Sequence, residues 1–512
     1  MKDINDNKSF KSVNNVIETL AEEIETKGNA NLGGLEQEVM TLDSNGQLIP
    51  YSNEYECFLS NAIQEASKYD DKDAETEYGD CIHGGKMLVG GKVSYGSFNP
   101  ETSTLIIEFA HAAGTDAWQT LEASVKATNA IDKAAQKNGY NLLALGGVPT
   151  ANLEDIRHSG SVLPYQGYVF SYENMKYNRN NHISQTTFGN ASFHYNQGFD
   201  DPEKFARYAR VTLYLQPLMT ALLANSPVVK QEIQQKDGKM VKTSRSHLMQ
   251  SYEQFYGVDD LSYSYPDFML DFDSSFADII TGYMGQPLGR NVVNGEKVFV
   301  GNISMLDYLQ NGFGHGGNTY FPEQKSIDMM FSEPIVDVRL RPFDGPRIET
   351  RAHDGGAFYM SAALSAFYRG VNANLENVEN YLRENLSPKE IRRQRKDACF
   401  DGVDGFVRLN NGKVISCLEF ASNIMHLAEV GLIHRDLNEQ DLLTPLQVII
   451  QTGKTYADCQ IDFVKENGGR IHNDALSDFM KAFDYSSVPL VNGLPYKAPI
   501  KREVDKKHVL GL

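Results

Sequence analysis

Apolar side chains recur at three- and four-residue intervals from Ser9 to about Lys27, where Phe10, Val13, Val16, Ile17, Leu20 and Ile24 share one helical face and Gly28 ends it. The spacing then changes. Leu32-Gly33-Gly34-Leu35-Glu36-Gln37-Glu38-Val39 reads as a strand, and so, after a polar stretch with Gly84-Gly85 and Gly90-Gly91, does Ser103-Thr104-Leu105-Ile106-Ile107-Glu108-Phe109. Helical spacing resumes from Asp116 to Asn138 and stops at Gly139, and Tyr140 to Leu145 forms a further buried strand running into Gly146-Gly147-Val148-Pro149. Asn190 to Gln197 alternates, so Ser192, His194 and Asn196 fall on one face. Asp200-Asp201-Pro202-Glu203 opens a long helix that Pro217 should kink, that resumes through Leu218 to Leu223, and that ends at Asn225-Ser226-Pro227. The order of elements is mixed and shows no repeat.

Composition narrows the class. The chain has 512 residues, 41% hydrophobic and 22% charged, enough for one large catalytic unit or two smaller ones. A net charge of −19 argues against nucleic acid or an anionic membrane surface as partner and leaves anionic substrates dependent on local arginines. The five cysteines, Cys57, Cys81, Cys399, Cys417 and Cys459, show neither a Cys-x-x-Cys nor a zinc-ligand spacing, so a reducing cytoplasm is expected. The N-terminus Met1-Lys2-Asp3-Ile4-Asn5-Asp6 lacks an apolar leader, and no run approaches the roughly eighteen apolar residues of a membrane span.

Chemistry enters with the acids. Glu36 and Glu38, two apart on a strand, project from the same face, where two like charges need a cation or a proton unless both are simply solvated. Glu108 is a lone acid in a β-branched run. In Arg347-Ile348-Glu349-Thr350-Arg351, preceded by Val336-Asp337-Val338-Arg339-Leu340-Arg341-Pro342, period-two geometry gathers Arg347, Glu349 and Arg351 on one side, which suits a ligand, a metal or a surface ion-pair ladder. Recurrence decides between these: Glu36, Glu38, Glu108, His194 and Glu349 all sit on strand-like segments, as expected of a sheet whose concave face holds hard cations. Arg245, in the polar stretch Thr243-Ser244-Arg245-Ser246-His247, reads as a loop-borne clamp for carboxylate or phosphate.

Other signals carry less. His434-Arg435-Asp436-Leu437 imitates a kinase catalytic loop, but Asp441 stands where the metal-binding asparagine is required, so a helix-capping turn is expected. Gly453-Lys454-Thr455 has the tail of a phosphate loop with Val448 in its first glycine position, and reads as a helix terminus. Gly312-Phe313-Gly314-His315-Gly316-Gly317 reads as a loop, with Gly312 to Asn318 the available lid. Arg392-Arg393-Gln394-Arg395-Lys396 reads as a solvated helical face.

Taken in order, Gly34-Leu35-Glu36-Gln37-Glu38, His194-Tyr195-Asn196, Leu215-Gln216-Pro217 with Ala221-Leu222-Leu223-Ala224-Asn225-Ser226-Pro227, Ser244-Arg245-Ser246-His247 and Ile348-Glu349-Thr350-Arg351-Ala352-His353-Asp354-Gly355-Gly356 resemble the glutamate-cysteine ligase family, particularly its plant and proteobacterial branch. The resemblance spans about residues 30 to 360. It implies an α+β, glutamine-synthetase-like fold, a curved and mainly antiparallel sheet funnel with helices on its outer face. On this basis residues 1–380 form the catalytic domain and 381–512 a mainly helical region packed on it. The implied reaction uses ATP to phosphorylate the γ-carboxylate of glutamate, and the amine of cysteine then displaces phosphate to give γ-glutamylcysteine, the first step towards glutathione.

By the same carry-over, Glu36, Glu38, Glu108, His194 and Glu349 are the magnesium ligands, roughly two or three ions being expected. Arg245 holds the acceptor carboxylate or phosphate region, Arg351 faces the phosphates, and Glu36, Glu349, Arg351 and Asn196 make up the ATP-binding set. After His247 the chain departs from the family pattern, with Leu248-Met249-Gln250-Ser251-Tyr252 in place of an aromatic and acids. The amine acceptor is therefore open: a ligase joining glutamate or another acid to a different amine is one alternative, and a catalytically silent binding or regulatory relative is another. Small-molecule substrates are the expected partners, with no nucleic acid and no membrane, on a cytoplasmic monomer or homodimer.

Overall fold

The computed structural model describes residues 10, 12–50, 52–69, 77–83, 86–100, 104–150, 189–250, 261–332, 334 and 336–499. Met1 to Asp6, Ser9, Gly84-Gly85, Ser103, Ser251, Tyr252 and residues 500–512, on which parts of the reading above rest, lie outside them. Helix α1 (Val13–Lys27) buries Val16, Leu20 and Ile24, and it starts after Phe10 because the Ser12 hydroxyl accepts the Asn15 N–H as an N-cap. Phe10 is buried in non-helical backbone ahead of the cap.

Strand β1 (Gly33–Asp43) and helix α2 (Asn53–Ala66) precede β2 (Glu77–His83), β3 (Lys86–Val93), β4 (Gly96–Pro100) and β5 (Ile106–His111). Then come α3 (Ala117–Asn138), capped by Asp116 and closed by Gly139 at φ +71°, and strands β6 (Tyr140–Leu143) and β7 (Ser192–Gly198). Helix α4 (Pro202–Leu222) is capped by Asp201 and continues through Pro217 without interruption. The segment expected to resume after Pro217 belongs to the same helix, and residues Leu213 to Leu222 are buried.

Helix α5 (Ser244–Met249), strands β8 (Val338–Arg341) and β9 (Arg347–Asp354), and helices α6 (Phe358–Ala373), α7 (Pro388–Asp401) and α8 (Cys417–Arg435) complete the parts that matter for function. All nine labelled strands belong to one sheet in the order β8-β9-β7-β1-β5-β4-β3-β2, with β6 pairing β1, and every pairing is antiparallel. The fold is thus the mixed helix and antiparallel sheet expected from the sequence.

Period-two alternation gives the sheet two unlike faces. Leu35 and Val39 of β1, Ile107 and Phe109 of β5, Phe193 and Tyr195 of β7 and Ile348 of β9 join the main core with apolar residues of α3, α4 and α6. Each such side chain is worth roughly 1.5–3 kcal/mol on burial, so this face is fixed against its helices and the alternate positions must point the other way. On that other face Glu36 and Glu38 are followed by Met40 and Leu42, which enter a second core with Ile106, Leu143, Phe479 and Phe483. The charged half of β1 is therefore walled off at one end by the C-terminal helices.

Those helices run on from α6. The helix Leu375–Asn385 passes across position 380, and α6 crosses α8 so closely that a Cβ on Gly370 would stand 2.2 Å from the Ala428 carbonyl oxygen. Helix α8 ends at Arg435 with Asp436 in the left-handed conformation, and the helix Thr444–Thr452 ends at Gly453 with φ +64°, so both motif look-alikes are helix termini. Cys57, Cys399, Cys417 and Cys459 are free thiols. Among the described residues no helix is long and apolar enough to cross a membrane.

Candidate active site

Three adjacent strands deliver the central residues. In the register of the sheet Glu36 on β1 lies opposite His194 on β7, while Asn196 on β7 lies opposite Glu349 on β9, which in turn faces Arg339 on β8. Side chains at paired positions share a face, so Glu36, His194 and Glu349 converge, with one ligand atom from each within 4.8 Å of the others. His194 Nδ1 is 3.0 Å from Glu36 Oε2 and 4.0 Å from Glu349 Oε1. Glu38 and Glu108 are also register partners on this face, one step along the strands and outside the triad. Ser192 Oγ donates to Glu38 Oε2 at 2.7 Å, and Asn99 Nδ2 donates to Glu108 Oε1 at 3.2 Å.

Arginines surround this acidic centre. Glu349 is gripped by Arg351 and lies 3.6 Å from Arg339 Nη1, and the Nε–H groups of both arginines are buried without a hydrogen-bond partner among the described residues. Arg347 Nε donates to Asn196 Oδ1 at 3.2 Å. Arg245 is 5% exposed on α5, not in a polar loop as expected, because Thr243 caps that short helix and tertiary packing covers it. Its Nη2 approaches His194 Nε2 at 3.2 Å and its Nη1 donates to the Arg351 carbonyl oxygen. The Arg245 guanidinium offers only donors and calls for a bare Nε2, whereas Ser192 Oγ, with its one proton on Glu38, calls for Nε2–H, so a given tautomer of His194 satisfies one of these two contacts.

The electrostatics follow from that packing. Burial and the neighbouring Glu349 push the Glu36 carboxyl up to about 7. Burial also opposes ionisation of Glu349, but Arg351 and Arg339 outweigh it and hold its carboxyl far below the usual range. Burial, reinforced by Arg351, drives His194 well below the usual imidazole range and keeps it neutral. Burial lowers Arg339 to about 10, whereas at Arg351 the attraction of Glu349 and Glu36 overcomes burial and raises it. A neutral imidazole beside two carboxylates, one of them reluctant to ionise alone, is a donor set that a hard divalent cation completes.

A cavity of about 390 Å³ opens beside Glu36. Gly33, Gly34, Asn196, Arg347 and Lys27 are among its walls. Gly312 to Asn318, expected as a loop, lie in a hairpin (Phe313–His315 paired with Asn318–Tyr320) and are not among the residues lining that cavity.

Several contributors were missed. Ser192, whose Oγ is 2.7 Å from His194 Nε2, and Arg339 were both visible in strand alternation but drew no role. Arg395, expected on a solvated helical face, is 1% exposed and ion-paired with Asp337. Nothing local announces such a pair, since the acid lies 58 residues away in sequence.

Residues 33–233 match the family model described as glutamate-cysteine ligase family 2. The chain is 23% identical to the chloroplastic glutamate–cysteine ligase B of Oryza sativa subsp. japonica over 272 residues, 51% of this chain and 49% of that protein. It is 21% identical to the chloroplastic glutamate–cysteine ligase of Nicotiana tabacum over 347 residues, 66% of this chain and 60% of that protein. The chain spans about half the length of the rice relatives it matches. The crystal structure of glutamate–cysteine ligase from Francisella tularensis in complex with AMP shares the fold with a TM-score of 0.50 at 11% identity, over 88% of each chain.

Proposed function

We propose that this protein, whose residues 33–233 match the glutamate-cysteine ligase family model, is an ATP- and magnesium-dependent carboxylate–amine ligase, with glutamate as the acid and cysteine as the amine. The observation that carries the reading is the convergence of Glu36, His194 and Glu349 from three neighbouring strands within 4.8 Å, flanked by Arg245, Arg339 and Arg351. In the reaction the γ-carboxylate oxygen of glutamate bonds to the terminal phosphorus of ATP as the bond to ADP breaks. The amine then bonds to the acyl carbon, loses a proton and expels phosphate, leaving γ-glutamylcysteine.

Bound magnesium would supply neutralisation of phosphoryl oxygens in a step that is mostly positioning and charge balance. Glu36, His194 and Glu349 would hold one ion, with Glu38 and Glu108 available to another on the same face. His194 would meet a cation through Nδ1 as the Nε2–H tautomer, with Ser192 and Glu38 behind it. In that tautomer Arg245 would have no acceptor at Nε2 and would turn to an anionic group. The unpartnered Nε–H groups of Arg339 and Arg351 suit phosphate or carboxylate oxygens in the same way. The cavity beside Glu36, with Asn196 and Arg347 in its wall, is the space assigned to the nucleotide. Catalysis is assigned to residues 1–380 and support of the site to 381–512.

The test is a panel of amino acids and amines with ATP and magnesium, read by ADP release and by mass spectrometry of the ligated product. Release that needs an acid and an amine together is expected. Ligation to an amine other than cysteine moves the acceptor assignment, and no turnover with any pair overturns the ligase reading.

A further inference from the structure

Helix α7 holds both ends of α5. At the N-terminal end the Cys399 carbonyl oxygen accepts the N–H groups of Lys242 at 2.8 Å and of Thr243, the cap of α5, at 3.3 Å. At the other end Gln250 Nε2 donates to the Arg395 carbonyl oxygen at 3.1 Å. Arg245 rides between these anchors.

The side chain of Arg395 links the same helix to the second arginine. Its Nε and Nη2 take the two oxygens of Asp337, the latter at 2.9 Å, and both Nη atoms lie 3.4 Å from the carbonyl oxygen of Ser246, next in sequence to Arg245. Tyr265 completes the shell by donating its hydroxyl to Asp337 Oδ2 at 2.5 Å. The backbone carbonyl oxygen of Asp337 accepts the Arg351 N–H at 2.7 Å. One guanidinium therefore divides its donors between the segment carrying Arg245 and the residue whose backbone carbonyl holds the Arg351 N–H. A buried pair that served stability alone needs a single acid, and apolar packing often serves that purpose as well. The planar fork does what a lysine cannot, bonding two fixed acceptors in different directions.

We propose that Arg395, with Asp337 and Tyr265, is a positioning residue that sets the separation of Arg245 and Arg351 so that both guanidiniums can meet one anionic substrate group. This rests on the ligase reading. Displacements of about 1 Å in such a constellation can cost on the order of a hundredfold in rate.

Arg395→Lys keeps a charge for Asp337 and loses the reach to Ser246. It is expected to lower kcat about tenfold in a protein that still melts cooperatively, and Arg245→Lys added to it is expected to lower kcat no more than about twofold below the worse single variant. A kcat within twofold of the parent, or losses that multiply as for independent sites, overturns the proposal. Should Arg395→Lys not fold, Tyr265→Phe, which removes one hydrogen bond and leaves the ion pair, carries the same cycle. There a kcat about threefold lower supports positioning and an unchanged kcat overturns it. If the parent protein turns over no acid–amine pair, the ligase reading fails by itself, and positioning is judged on calorimetric binding of magnesium–ADP. Affinity at least about fivefold weaker in Arg395→Lys supports it, and equal affinity overturns it.

Discussion

Cation binding at Glu36 should be in direct competition with a proton near neutral pH. The carboxyl sits at about 7 because burial and Glu349 disfavour its charge, while the other two members of the triad do not titrate in this range: Glu349 is held far below it by its arginines and His194 is neutral. Only Glu36 then changes state between pH 6 and pH 8. With a midpoint of about 7 the ionised fraction goes from roughly one-tenth to nine-tenths, so the apparent Kd for a divalent probe such as Mn²⁺ is expected to tighten about tenfold, or about 1.4 kcal/mol. Calorimetry at the two pH values measures this directly. Repeated at pH 7 in buffers of different ionisation enthalpy, it should report about half a proton released per ion. In Glu36→Gln the pH slope should vanish. A parent Kd that stays within twofold across this range, or a slope that survives in the glutamine variant, refutes the reasoning. The same shift has a signed effect on folding. The folded state holds more protons than the unfolded chain between the ordinary glutamate value of 4.5 and about 7, so the contribution of Glu36 to stability is full below 4.5 and is lost as the pH rises through 7.

Further outcomes are expected at other positions. Glu36→Gln and Glu349→Gln should each lower turnover at least about tenfold, but with opposite effects on melting at pH 8: the first removes an unfavourable charge, while the second strips Arg339 and Arg351 of their carboxylate and costs about 3–5 kcal/mol. Differential scanning fluorimetry separates them, and equal shifts would contradict the charge assignment. Asp354 accepts from the Asn225 N–H, Ser226 Oγ and Thr243 Oγ1 and is buried, so Asp354→Ala should cost about 2–4 kcal/mol in urea unfolding, and a loss under about 0.5 kcal/mol would show those donors finding other partners. Gly370→Ala and Gly431→Ala, whose added Cβ atoms would stand 2.2 Å from the Ala428 carbonyl oxygen and 2.0 Å from that of Gly370, should each destabilise the α6–α8 contact by about 1–3 kcal/mol, and a variant of parental stability would mean the helices can separate cheaply.

Local chemistry made much of the fold legible. Asp116 and Gly139 bound α3 where the cap and the glycine predicted, because capping is satisfied within one helical turn. The alternation in Asn190 to Gln197 marked the face of β7 that carries Ser192, His194 and Asn196, because strand periodicity is a property of a few residues. Where burial decided, local reading failed. Arg245 leaves the expected loop for a buried helix, and Arg395 leaves the solvated face for an ion pair.

The acids of the site divide in the same way. That Glu36, Glu38, Glu108, His194 and Glu349 lie on strands was legible from residue type, spacing and motif order. That Glu36, His194 and Glu349 form the close triad, with Glu38 and Glu108 one step away, depends on the register of β1, β5, β7 and β9. Register is set by long-range pairing and by which face the helices cover, and neither is encoded within a short window. The arginines depend on it further. A guanidinium such as Arg395 becomes a link between two parts of the site only when folding places Asp337 and Ser246 within its reach, and sequence distance conceals that contact until the chain has closed.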